Sequence, residues 1–153
     1  MATTTGTCTV FDKVKDKIGD NSIDLNTDAF SVMLLTSGWT PNRATNEFVS
    51  DIVSNEHGAT AGYVRKVLAN VQWITSGGSD GQMMLNADDP VWTASGASIV
   101  CRYWALFDSE TGADATRDLI AYGLLDDTPL DVTTTDTNTL TLNINALGFF
   151  TVG

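Results

Sequence analysis

From Phe30 to the C-terminus, apolar residues fall into short runs, most alternating every second position, with clusters of Gly, Pro, Asp, Ser and Thr between them. A period of two belongs to strands with one face inward, whereas a helix repeats at 3.6 residues. Phe30–Leu35 is apolar on both faces and predicts an interior strand. In residues 63–74, Val67, Ala69, Val71 and Trp73 face one way, Asn70 and Gln72 the other. Residues 82–87 put Met83 and Leu85 on one side, and residues 98–107 align Ile99, Cys101, Tyr103, Ala105 and Phe107. Residues 119–125 follow, then 139–145 with Leu140, Leu142 and Ile144 inward, and 148–152 close the chain. Turn chemistry separates these runs at residues 76–81, Asp88-Asp89-Pro90, Glu110-Thr111-Gly112 and Asp126-Asp127-Thr128-Pro129. About seven short strands with no intervening helices predict an all-β sandwich, jelly roll or barrel.

One short N-terminal helix is expected. Phe11, Val14 and Ile18 recur at helical spacing, Thr9 can cap the run, Asp12 suits the first turn and Gly19 ends it. So short a helix must pack its apolar stripe on the domain's own sheet or on a neighbour. The preceding residues 1–9 are Thr-rich without apolar pattern and read as a flexible arm, leaving residues 10–153 as a single β-sandwich domain. Deleting the arm is then expected to spare thermal stability while weakening attachment to a partner. Thr40–Gly62 is the least regular stretch, either a structural loop or a functional one.

With 19 acids against 8 bases the chain carries a net charge of −11, and no base follows Arg117. Such a surface repels phosphate backbones, which argues against nucleic acid as a partner. No apolar run reaches the ~20 residues of a membrane span, and the N-terminus lacks the pattern of a secretory signal. Cys8 and Cys101 are therefore expected as reduced thiols.

Signals for catalysis are absent from the motif pattern. His57 is the only histidine, no serine sits in a G-x-S-x-G context, and neither a P-loop, an EF-hand loop nor a zinc spacing occurs. Most carboxylates fall in turns, so neither an enzyme nor a cofactor is expected. The aromatic residues are more informative. Trp39 stands at a strand end before Thr40-Pro41-Asn42, Trp73 and Tyr103 read as core, and Trp104 shares the second face of its strand with Val100, Arg102 and Leu106. That face is either the other layer of a sandwich or a subunit interface.

Two long stretches carry a resemblance. One runs Asn21-Ser22-Ile23-Asp24-Leu25-Asn26-Thr27-Asp28-Ala29-Phe30-Ser31-Val32-Met33-Leu34-Leu35-Thr36-Ser37 and leads to Thr40-Pro41-Asn42. The other runs Ala87-Asp88-Asp89-Pro90-Val91-Trp92-Thr93-Ala94-Ser95-Gly96, followed by Arg102-Tyr103-Trp104-Ala105-Leu106-Phe107-Asp108 and Leu119-Ile120-Ala121-Tyr122-Gly123. With Gly62-Tyr63 and Gly148-Phe149-Phe150, the chain resembles small virion proteins of tailed bacteriophages, of the capsid decoration (cement) kind. The resemblance implies a jelly-roll-like β-sandwich, synthesised in the host cytoplasm, that binds the major capsid protein on the outer capsid surface as a homodimer or homotrimer. The partner interface is then expected to draw on Thr3, Thr4, Thr5, Phe11, Val14, Trp39 and Trp104. The alternative is a phage tail or receptor-binding module that meets a host ligand through an exposed Trp39 and the loop 40–62.

Overall fold

The computed structural model describes residues 2–4, 8–75, 82–110, 112–146 and 148–152, with the side chains of 2–4 and 152 excepted. The turn expected at 76–81 and the residue Thr111 lie outside them. The described chain is all-β with one short helix. Its strands are β1 (Ala2–Thr4), β2 (Thr9–Val10), β3 (Phe30–Leu35), β4 (Lys66–Val67), β5 (Gln72–Thr75), β6 (Met83–Asn86) and β7 (Val91–Thr93). β8 (Ile99–Cys101), β9 (Tyr103–Asp108), β10 (Leu119–Leu124), β11 (Val132–Thr134), β12 (Thr139–Asn143) and β13 (Phe150–Val152) complete them, and the helix is α1 (Val14–Gly19).

The organising element is a five-stranded antiparallel sheet in the order β2-β10-β9-β3-β4. β3 and β9 pair over six positions, from Phe30 opposite Asp108 to Leu35 opposite Tyr103. All six residues of β3 are buried, so the sheet is covered on both faces. On one face Val32, Leu34, Trp104 and Leu106 lie side by side, and Trp104 packs on Phe149 with ring centroids 5.4 Å apart. On the other, Trp39 packs edge-on against Tyr103 and Tyr122, each at 5.3 Å. The remaining pairings are β1-β12-β7, β13-β6-β5 and β11-β8, with β1 parallel to β12. The second face of β9 is thus an internal layer, which settles the choice left open for Trp104.

Several expected elements change extent for physical reasons. The helix begins at Val14 rather than after Thr9, because Thr9 and Val10 pair with Tyr122 and Ala121 of β10. Phe11 continues that contact, its N–H donating to the Ile120 carbonyl at 3.0 Å. The helical stripe nevertheless points inward, with Phe11 and Val14 buried and Ile18 partly so. The single strand expected over 98–107 breaks at Arg102, where the chain passes from pairing with β11 to pairing with β3 and β10. The strand expected over 63–74 splits as well: Asn70 adopts a left-handed φ of 51°, and Leu68, not Val67, is the buried residue. β7 and β11 were not foreseen as strands; each is three residues long, too short for alternation to register.

The N-terminus also departs from the expectation of a free arm, since Ala2–Thr4 pair with Thr141, Leu142 and Asn143, and Thr9 belongs to β2. Deleting residues 1–9 is therefore expected to cost about 1–2 kcal/mol through lost ladder hydrogen bonds, lowering the thermal midpoint by roughly 3–6 °C. A calorimetric scan of the truncated chain checks this.

The loop between β3 and β4 folds inward. Two 3-10 turns, Val49–Asp51 and Val53–Asn55, bury Val49 and Ile52 completely. The Asp51 carboxylate accepts the Glu47 and Phe48 N–H groups at 2.8 and 2.9 Å, which fixes the first turn. Lys17 of α1 pairs with Glu47 at 2.9 Å and with Asp118, and lies 4.3 Å from the Phe48 ring centroid. Val49 and Ile52 thus plug the sheet, while residues 42–45 and 58–60 of the same loop stay exposed.

Candidate assembly surface

The side chains expected at a partner interface lie mostly inside the domain. Phe11 and Val14 are each 1% exposed, Trp39 4% and Trp104 0%. Each is apolar enough to complete the domain's own core, and the sheet layers cover it before any partner could. Thr3 and Thr4 are placed only as backbone of β1, and Thr5 lies outside the described residues.

The exposed apolar side chains gather elsewhere. β4 ends the five-stranded sheet and β7 ends the sheet β1-β12-β7. A groove of about 340 Å³ runs between these two open edges, lined by Lys66, Val67, Leu68, Ala69, Asp88, Asp89, Pro90 and Val91. Val67 is 70% exposed and Val91 42%. Outside the groove, Val64 is 57% exposed, and its carbonyl accepts the Trp92 indole N–H at 2.8 Å. The rim is rigid: Asp88 accepts from the Asn70 amide at 2.6 Å and Asp89 from the Ile144 N–H at 2.7 Å. Lys66 and Pro90 stand where a charged or N–H-less residue discourages indiscriminate strand addition. Sequence alternation put Val67 inward. The signal that could have corrected it was the nearby Ala69-Asn70 pair, which ends the strand early.

A second surface feature is aromatic. Tyr103 of β9 and Tyr122 of β10 lie on one face of the sheet, with Tyr103 opposite Leu124 in register. Trp39 lies beneath both rings, and Phe11 meets Tyr122 at 5.0 Å. The two tyrosines are half-buried and, with Thr9, Pro41, Gly123, Leu124 and Pro129, line a groove of about 300 Å³. Sequence reading assigned Tyr103 to the core. In the structure the cluster buries its tryptophan and brings its tyrosines to the surface.

Titratable groups serve the frame. Arg65 donates to both Glu56 oxygens (2.9 and 2.7 Å) and to both Asp114 oxygens (2.7 and 2.8 Å), with its guanidinium 5.4 Å from the Phe107 centroid. Its hydrogen bonds hold the Asp114 carboxyl below the ordinary carboxylate range. The Tyr63 hydroxyl donates to Glu56 at 2.7 Å and accepts the Leu34 N–H at 3.0 Å, while burial and the Glu56 charge push its pKa up. His57 accompanies this network, its ring 5.3 Å from Tyr63 and its Nδ1 2.8 Å from the Gly58 carbonyl. The turn carboxylates accept local N–H groups, Asp24 from Asn26, Asp108 from Glu110 and Asp126 from Thr128, while Asp136 accepts the distant Gly96 N–H. Cys8 and Cys101 are unpaired thiols, each pushed up to about 12 by burial, which suppresses the reactive thiolate. Among the described residues no group of three or more His, Cys, Asp or Glu side chains is arranged to hold a metal ion. No helix among them is long and apolar enough to cross a membrane.

Comparison of the chain with protein-family models, with curated proteins and with solved structures finds no match.

Proposed function

We propose that this chain is a virion structural protein that decorates the outside of a bacteriophage capsid, binding major capsid protein subunits and itself as a homodimer or homotrimer. The supporting observation is the apolar edge at Val67 and Val91. Two of the six exposed large hydrophobic side chains among the described residues, Val67 and Val91, line that one groove, where two sheet edges open together. Contiguous exposed apolar surface of this kind marks a place covered by a partner. The segments that carry the family resemblance build β3, β7, β9 and β10, so the likeness lies in the frame that positions this edge. A jelly-roll-like arrangement, binding in place of catalysis, and location on the virion belong to the same proposal. Decoration stabilises an assembled shell by mass action, because the protein binds only the assembled state.

The tail or receptor-binding alternative relied on an exposed Trp39. With that ring buried, it keeps only the loop 40–62, of which residues 42–45 and 58–60 are exposed.

Purified particles imaged by cryo-electron microscopy are expected to carry this chain on the shell in many copies. Density confined to the tail, or missing from the shell, overturns the reading. A Val67→Asp, Val91→Asp double variant is expected to keep its fold, since both sites are exposed, and to lose at least roughly tenfold in affinity for undecorated particles. Co-sedimentation measures that loss.

A further inference from the structure

We propose that the tyrosine groove binds an extended, proline-containing peptide in the polyproline II conformation, with a basic residue of the peptide meeting Asp126 and Asp127. This inference does not depend on where the chain resides. Neither the Tyr103 nor the Tyr122 hydroxyl has a hydrogen-bond partner among the described residues, yet both rings are locked by Trp39. The lining groups with polar side chains are these two phenols and Thr9, while Pro41, Leu124 and Pro129 supply apolar walls. Such a site offers hydroxyl donors on a rigid aromatic floor. A polyproline II segment is the complementary ligand: its carbonyls make no internal hydrogen bonds, its prolines lack N–H donors, and its ring faces stack on aromatic side chains. Residues three apart in that helix share a face about 9 Å apart, close to the roughly 7–8 Å between diagonal positions on paired strands such as those of Tyr103 and Tyr122.

Charge sets the flank. Asp126, Asp127 and Asp131 surround Pro129 and the exposed Leu130 in the loop that forms one wall. Asp131 is neutralised by Arg102 at 2.9 Å, but no base pairs with Asp126 or Asp127 among the described residues. On the opposite wall Arg43, next in the loop after Pro41 and Asn42, is paired with Asp12 at 3.0 Å. The uncompensated charge at the groove is therefore negative and favours a cationic peptide flank.

Fluorescence anisotropy with the full-length chain tests this, using a labelled run of prolines flanked by arginines. Saturable binding is expected, at least roughly tenfold tighter than for the peptide with alanine in place of proline. Tyr103→Ala and Tyr122→Ala are expected to weaken it roughly tenfold or more. Tyr103→Phe and Tyr122→Phe keep the packing rings and are expected to weaken it about threefold at an unchanged unfolding midpoint, which separates lost binding from lost folding. Three outcomes overturn the proposal: no saturable binding, equal binding of the alanine peptide, or tyrosine variants with wild-type affinity. Displacement of the peptide by maltose or N-acetylglucosamine would also overturn it and assign the groove to a glycan.

Discussion

Trp104→Ala is expected to lower the unfolding free energy by about 3–5 kcal/mol, the range for truncating a large aromatic side chain in a packed core. Trp104 has no exposed surface and occupies the central strand β9, between β3 and β10. Its indole covers Gly123, where an added Cβ would approach ring atoms to 2.8 Å, and it meets Phe149 at 5.4 Å. Removing it thus opens a cavity walled by three strands and the C-terminal segment, and the backbone of a six-position antiparallel ladder cannot collapse to fill it. The thermal midpoint is expected to fall by about 10 °C or more. Trp104→Phe should cost much less, because it refills most of the space and removes an indole N–H that is buried without a partner among the described residues. Urea titration of both variants measures the difference. Equal losses would mean that volume at this site is not what stabilises the fold.

Arg65→Met should be the next most damaging change, by about 2–3 kcal/mol. Breaking a fully buried ion pair typically costs about 3–5 kcal/mol, and partial exposure of the Asp114 and Arg65 side chains (32% and 23%) reduces that here. Methionine keeps the aliphatic contact with Phe107 but removes the cation shared by Glu56 and Asp114, leaving Asp114 with only Arg117 at 3.5 Å. The loss should depend on pH with a definite sign. Asp114 has a lowered pKa in the folded state, so its contribution is full above its unfolded value near pH 4 and disappears as pH falls through the lowered folded value. Asp108 acts in the opposite sense: burial raises its pKa, so its ionised form costs stability that is recovered as pH falls. Removing Arg65 takes away the larger part of the first contribution, leaving Asp114 only its longer pair with Arg117 at 3.5 Å, and leaves the second. The gap between wild type and variant should consequently narrow from pH 7 to about pH 3 in urea titrations. A constant gap would assign the effect of Arg65 to packing alone.

Some of this was readable from local chemistry. β3 was legible because a run of six with five apolar residues, broken only by Ser31 and bounded by turn formers, reads as an interior strand in a chain with no βαβ pattern. The inward stripe Phe11, Val14 and Ile18 was legible too, although the helix itself starts later. Its first residues have backbone groups already bound to β10, a partner more than a hundred residues away. The valine edge was not legible, because Val67 continues the alternation of its neighbours and only the turn at Asn70 and the end of the sheet turn it outward.

The candidate surfaces show the same division. Aromatic content marked residues that matter, but Trp39 and Tyr103 exchanged the positions expected of them, one going under the sheet face and the other to its surface. By itself the sequence determined an acidic all-β domain and the identity of most of its core, because alternation, turn residues and charge act over a few neighbouring positions. Which strand pairs with which, where β9 changes partners, and which apolar side chains are left uncovered were decided only in the tertiary structure. Those outcomes depend on contacts between segments far apart in the chain, and no local pattern encodes them.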